Sequence, residues 1–250
     1  MATDAGTTDA GTTDAGTTDE EADADPPQPF PRWMRALVAG GAVLAVLLLG
    51  ASLGMLVQLP GRGPAQPAAA SVDVGFAQDM SVHHRQAVLM AGLARDRSSD
   101  PVLRSLGFDI ERTQLEQIGR MQGWLSLWNA APLPTGQYMS WMTDAASMAG
   151  MTHGSGEGST GVVTMPGMAS PAELERLHAV SGAEFDVLFL QLMLRHHQGG
   201  APMAEYAAQH AETAQVRNLA QKILTAQRTE SNLLTELLAQ RGAQPLPPPI

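Results

Sequence analysis

Apolar residues recur at three- and four-residue steps along four long stretches of this chain, and one further stretch is apolar throughout. From Val72 to Asp96 the spacing predicts an amphipathic helix. Arg97-Ser98-Ser99-Asp100-Pro101 ends it and supplies the next with an N-cap residue and a proline at its first position. That second helix is predicted from Pro101 to about Trp128, on a stripe of Leu103, Leu106, Ile110, Ile118, Met121 and Leu125 that Gln114 interrupts. Phe185 to Gln209 and Thr213 to about Gln240 predict a third and a fourth. Ser170-Pro171-Ala172-Glu173 has the pattern of a capped start for a short helix through His178, which Gly182 separates from the third. Pro202 removes a backbone donor inside the third helix and predicts a kink there.

The first and third helices spell nearly the same sequence. Asp73, Phe76, Met80, His83, His84, Met90 and Ala91 recur as Asp186, Phe189, Met193, His196, His197, Met203 and Ala204 at one offset of 113 residues. Leu103, Leu106, Ile110 and Gln114 match Val216, Leu219, Ile223 and Gln227 at the same offset. A repeat this long means two copies of a helical hairpin, not a solenoid. Neither hairpin can bury its apolar face alone, so the expected fold is all-α: a four-helix bundle of two duplicated αα-hairpins over residues 72–241. The connection at 129–169 is rich in Gly, Ser, Thr and Met.

The continuous apolar stretch lies earlier. No residue between Arg35 and Arg62 is charged, and at about 1.5 Å per residue the segment 36–59 spans the roughly 30 Å hydrocarbon core of a bilayer. Two readings compete, a cleaved signal peptide with Ala68-Ala69-Ala70-Ser71 as the peptidase site, and an uncleaved anchor. The length favours the anchor, because a signal's apolar region usually runs about 7–15 residues. Arg32 and Arg35 precede the span and Arg62 follows it, which favours a cytoplasmic N-terminal side. Residues 60–71 then form a Pro/Ala stalk, and the bundle stands outside the cytoplasm on a single-pass cell-membrane protein.

Composition changes this picture in two ways. The net charge of −10 arises mainly in residues 1–31, where Asp-Ala-Gly-Thr-Thr repeats and an acidic run hold eight of the 25 acidic residues; the remainder carries 17 against 15 basic ones. The tail reads as disordered, and no basic patch for nucleic acid is present. Cysteine is absent, so any metal must be held without thiolate.

Helix geometry puts Asp73, Met80, His83, His84 and Met90 on or beside one face, and Asp186, Met193, His196, His197 and Met203 likewise. Each copy thus gathers one carboxylate, two imidazoles and two thioethers. Methionine at helical spacing is ordinarily core filler. Buried imidazoles, however, cost free energy unless each nitrogen finds a partner, and packing alone does not ask for them twice. Thioether with imidazole and without thiolate suits Cu(I) first, while neutral imidazole also accepts Cu(II) or Zn(II). Asp73 and Asp186 are candidates to ligate directly or to orient an imidazole, and Gln114 and Gln227 face the same core. In the linker, Met139, Met142, Met148, Met151, His153, Met165 and Met168 read either as a copper-capturing loop or as a spacer.

At these residues the chain resembles the domain of unknown function 305 family. The matching motifs are Asp79-Met80-x-x-His83-His84-x-Gln86-Ala87-x-x-Met90-Ala91, Met165-Pro166-Gly167-Met168, and Phe189-Leu190-x-Leu192-Met193-x-x-His196-His197-x-Gly199-x-x-x-Met203-Ala204, with Gln114 followed by Met121-x-x-Trp124-Leu125. The resemblance implies a ferritin-like bundle and, for members with an assigned role, periplasmic or cell-surface copper binding. The ligands it implies are Met80, His83, His84 and Met90 with Met193, His196, His197 and Met203. Gln117 stands where the family usually has Glu, and Leu234 where it has Met, whereas Glu230 is kept.

The reading that follows is a membrane-anchored extracytoplasmic protein that sequesters Cu(I) or hands it over without turnover, its partners being the metal ion, a copper donor or acceptor protein, or a second copy of itself. The alternatives are a ferritin-like metal oxidase, for which the helices supply few carboxylates, and a metal-free interaction module. Whether the two donor clusters act separately or converge on one site is open at the level of sequence.

Overall fold

The computed structural model describes residues 31–58, 66–143 and 161–248. It is all-helical, and the chain divides into two units at Pro64/Ala65. The first unit contributes α1 (Arg32–Gln58), whose residues 32–55 are long and apolar enough to cross a membrane, with a mean hydropathy of 2.4. Leu37, Leu44, Leu49 and Met55 along it are 58 to 75 % exposed, an arrangement that favours hydrocarbon over water around the helix. The acidic repeats of residues 1–30 lie outside the described residues.

The second unit is a bundle of α2 (Val72–Arg97), α3 (Pro101–Leu127), the short α4 (Pro171–Ala179), α5 (Gly182–His210) and α6 (Ala214–Gln240). α2 packs on α3 and α5 on α6, and the two hairpins meet chiefly through α2 and α5. The termini follow from local chemistry. Ser71 accepts a bond from the Val74 amide, Asp100 from Val102, and Thr213 from Val216, while Ser170 and Glu173 form a reciprocal capping box. Gly182, expected to separate α4 from α5, is itself the first residue of α5, with φ of +60°. α5 continues through Pro202 as one element. The carbonyl that Pro202 leaves without its donor is that of Gln198, an exposed residue, where water can satisfy it.

Two carboxylates fasten the hairpins to each other. Asp73 of α2, fully buried, accepts from the backbone amides of Glu212 (2.7 Å) and Thr213 (2.9 Å) and from the Thr213 hydroxyl (2.6 Å), at the turn between α5 and α6. Asp186 of α5 accepts from the Ser98 hydroxyl (2.7 Å), at the turn between α2 and α3. Each turn is closed further by an arginine that donates to two of its carbonyls, Arg104 to Ser98 and Ser99, and Arg217 to Ala211 and Glu212. The arginine bonds recur at the 113-residue offset of the sequence pattern, and so do the two carboxylates, but on different partners, since the Ser98 that bonds Asp186 stands at the offset of Ala211.

The described parts of the linker, read from sequence as a copper-capturing loop or a spacer, are packed into the bundle. Met139, Met142 and Met165 are at most 2 % exposed and belong to the core. The amide of Met139 (2.6 Å) and the Trp141 indole (2.8 Å) donate to Asp79 of α2, Tyr138 pairs with Val162, and the Thr143 amide donates to the Tyr206 hydroxyl. Met148, Met151 and His153 lie outside the described residues.

Substituting Asp73→Ala strands three donors at once, and Asp186→Ala strands one. In thermal unfolding of the full chain in detergent, Asp73→Ala should cost about 3 kcal/mol and Asp186→Ala about 1 kcal/mol. Equal losses would contradict the assigned bonding.

Candidate metal centre

The histidine pairs sit midway along α2 and α5, and every helix of the bundle changes character there. On one side lies an apolar cluster containing Phe76, Met80, Leu125, Met203 and Ile223; on the other lies a second, containing Met90, Leu103, Phe189, Met193 and Leu238. Between them His83, His84, His196 and His197, none of them exposed, form one polar layer with Gln114 of α3 and Gln227 of α6, which are 4 % and 3 % exposed.

Two features of the sequence reading change here. The imidazoles of both hairpins converge: the His83 and His196 rings lie 3.8 Å apart between centroids, tilted by 34°, and those of His196 and His197 lie 6.3 Å apart. The thioethers are grouped across the hairpins, Met80 with Met203 and Met90 with Met193, instead of along each helix. Asp73 and Asp186, candidates for ligation or for orienting an imidazole, are not brought to the histidines. Each lies ten residues before the histidine pair of its helix, about 15 Å along the axis, with both oxygens of Asp73 and Oδ1 of Asp186 bonded at a hairpin turn.

All four imidazoles are oriented through Nε2. His83 Nε2 lies 3.2 Å from the Pro166 carbonyl and His196 Nε2 lies 3.0 Å from the His83 carbonyl. A carbonyl can only accept, so both nitrogens carry the proton. His197 Nε2 donates to the Glu230 carboxylate at 2.6 Å, and His84 Nε2 to the Gln117 side-chain oxygen at 2.7 Å. On a neutral ring Nδ1 is then left with its lone pair, and all four Nδ1 atoms are buried without a hydrogen-bond partner. Buried polar atoms without partners are costly, and the carboxylate-to-imidazole and carbonyl-to-imidazole bonds are those that orient metal-ligating histidines. Among the described residues no three His, Asp or Glu side chains surround one point at ligand spacing. A metal held here would draw on thioethers as well.

Burial also keeps His83, His84 and His196 neutral. Loss of hydration pushes His83 down to about 4, against the opposing bond to Pro166. His84 falls to about 3 through burial and the neighbouring His83, and His196 falls well below its ordinary value for the same reasons, with His197 and His84 adding to the repulsion. Neutral imidazole is the form that binds metal.

The Met165-Pro166-Gly167-Met168 segment is the strap that reaches the layer. Gly167 has φ of +78°, and a Cβ there would stand 2.5 Å from the Arg195 carbonyl; a Cβ on Gly199 would stand 2.1 Å from the Pro166 carbonyl. Only glycine at both positions lets the strap lie on α5 with its carbonyl turned to His83. Gln86 holds the strap's end, donating to the Ala169 carbonyl and accepting from its amide. Arg195 bonds Glu173 of α4 through both of its terminal nitrogens, which holds that carboxyl down at about 2.

Gln117 and Glu230, which entered the sequence reading only as family positions, turn out to be the partners of His84 and His197. Each follows its histidine by 33 residues, and that shared spacing was the available signal. Glu230 is the one carboxylate bonded to a layer histidine among the described residues.

The model of the family described as domain of unknown function (DUF305) matches residues 73–238. Among solved structures, a DUF305 protein of Streptomyces coelicolor is 39 % identical, covering 72 % of this chain and 99 % of its own, with a TM-score of 0.62. A DUF305 fragment from Deinococcus radiodurans is 30 % identical over 71 % of this chain and 99 % of its own, with a TM-score of 0.53. CopM in its Cu(I)-bound form shares the fold at 23 % identity, covering 67 % of this chain and 96 % of its own, with a TM-score of 0.50. No curated protein matches the chain.

The proton balance gives a test without metal. Between pH 6.5 and 4.5, His83, His84 and His196 take up protons when the chain unfolds but not while it is folded. Asp79, raised by burial to about 6, acts in the opposite sense. Three groups oppose one, so unfolding binds protons and stability must fall as pH falls through this window. Melting of the metal-free chain at pH 6.5 and 4.5 checks this; a flat or rising profile on acidification would contradict the buried neutral layer.

Proposed function

The chain belongs to the DUF305 family, and on that premise we propose that it is a membrane-anchored, extracytoplasmic copper-binding protein that sequesters Cu(I) or passes it to a copper-handling partner without chemical turnover. The observation that carries this reading is the set of four buried Nδ1 atoms with no hydrogen-bond partner, each on an imidazole whose other nitrogen is engaged. Met80 and Met203 on one side and Met90 and Met193 on the other supply soft donors next to the layer, and soft donors with neutral imidazole favour Cu(I) over harder cations. The copper-bound forms of CopM support the choice of metal. Here copper is cargo: His83, His84, His196 and His197 would hold it with the four thioethers, and Glu230 and Gln117 would keep the rings turned inward.

The apolar, exposed α1 supports anchoring, with the bundle on the outer side where free copper is encountered. An oxidase would need several carboxylates at the metal, and the layer has Glu230 alone among the described residues.

Anaerobic titration of the full chain with Cu(I) against a competing chelator tests the proposal. Changing His83, His84, His196 and His197 together to alanine should abolish binding while helicity by circular dichroism is kept; unaltered stoichiometry would reject the site. Changing Met80, Met90, Met193 and Met203 to leucine should weaken Cu(I) binding by about tenfold or more and Cu(II) binding much less.

A further inference from the structure

The two hairpins are unequal at the flanks of the histidine layer. Between α5 and α6 a groove of about 440 Å³ is lined by His197, Gln198, Ala201, Gln227, Arg228, Ser231 and Asn232. Its residues grade inward. Gln198, Arg228 and Asn232 are exposed, Ala201 and Ser231 half-buried, and His197 and Gln227 buried. At the innermost position both amide atoms of Gln227 are buried without a hydrogen-bond partner, as is His197 Nδ1. A Cβ added to Gly200 would stand 3.0 Å from His83 and 3.2 Å from the Gln227 amide oxygen, so the absence of that Cβ leaves room beside the amide.

At three positions the same flank of the first hairpin carries larger residues. At the 113-residue offset, Ala87 stands for Gly200, Val88 for Ala201, and Ile118 for Ser231. Ile118 is buried where Ser231 is half-buried. Arg228 at the rim is within 3.8 Å of Glu205, so its charge does not stand alone in the path of a cation.

We propose that the α5/α6 groove is the entrance through which a soft monovalent cation reaches the histidine layer, with Gln227 as the positioning residue that receives it and His197 as the first imidazole it meets. The inference rests on the metal-binding reading above. The stranded amide of Gln227 offers an oxygen to an ion that has begun to lose water, one step before the nitrogen and sulfur donors. The α2/α3 flank is filled further at three of the equivalent positions, by Ala87, Val88 and Ile118, so loading is one-sided although the layer is built from both hairpins.

Two measurements on the full chain in detergent test this. Without metal, diethyl pyrocarbonate modification followed by peptide mass spectrometry should mark His197 several-fold faster than His84. The double substitution Ala201→Val with Ser231→Ile, which copies the first hairpin's residues into the groove, should remove that difference. Equal rates in the unsubstituted chain, or faster marking of His84, would overturn the entrance. With silver ion as probe, the double variant should load about tenfold more slowly in stopped-flow mixing, at unchanged stoichiometry and melting temperature; loading at the original rate would also overturn it. A chain that takes up no silver at all would sink the metal-binding reading instead, and the modification pattern, read without metal, tells the two failures apart.

Discussion

Each imidazole in the middle layer of this bundle gives up its hydration on folding, and every one of its nitrogens then needs a partner from the protein or from a ligand. The protein supplies half of what is needed. Pro166, the His83 carbonyl, Gln117 and Glu230 take the four Nε2 protons, and much of the surrounding structure serves those four bonds. The strap is pressed onto α5 at Gly199 so that the Pro166 carbonyl reaches His83, Gln86 pins its far end, and α3 and α6 each bring one side chain to the outer histidine of the facing pair. The other four nitrogens, the Nδ1 atoms, have no partner in the protein. Apolar clusters lie on either side of them.

Much of this was readable from sequence. The helices begin and end within a few residues of their expected bounds, because Ser71, Asp100, Ser170 and Thr213 are capping residues followed by helical spacing. The inward face of α2 was readable too, since helical periodicity fixes which residues share a face. Periodicity says nothing about how two helices cross. The four imidazoles come together, and Met80 comes to lie with Met203, only because α2 and α5 pass each other at the histidines, a tertiary fact. The surroundings of Asp73 and Asp186 are a tertiary fact of the same kind. Both residues stand on the helix face that carries the donors, but about three turns away, where the nearest needy groups are the amides and hydroxyls of the opposite turn. The linker methionines read as loop or spacer because the segment's Gly and Ser content masked its anchoring by Asp79 and Tyr206 at residues 139–143 and by Gln86 at Ala169.

The departures from the repeat fall at the centre as well as at its rim. His84 is held by an amide where His197 is held by a carboxylate, and Met121 stands at the offset of Leu234. The linker adds Met139, Met142 and Met165 to one apolar cluster only, so the thioethers crowd one side of the histidine layer. A metal in this layer would not find the same surroundings in both directions.

The reciprocal fastening by Asp73 and Asp186 has a consequence for how such differences can exist. Each hairpin finishes the other's turn, which is what two identical subunits related by a twofold axis would do. In a dimer of identical hairpins every change is made twice, so a carboxylate beside one histidine is a carboxylate beside its mate, and a widened groove on one flank is widened on both. Joining the halves in one polypeptide removes that restriction. The partnership stays reciprocal in its scaffold, while its interior is free to acquire a direction.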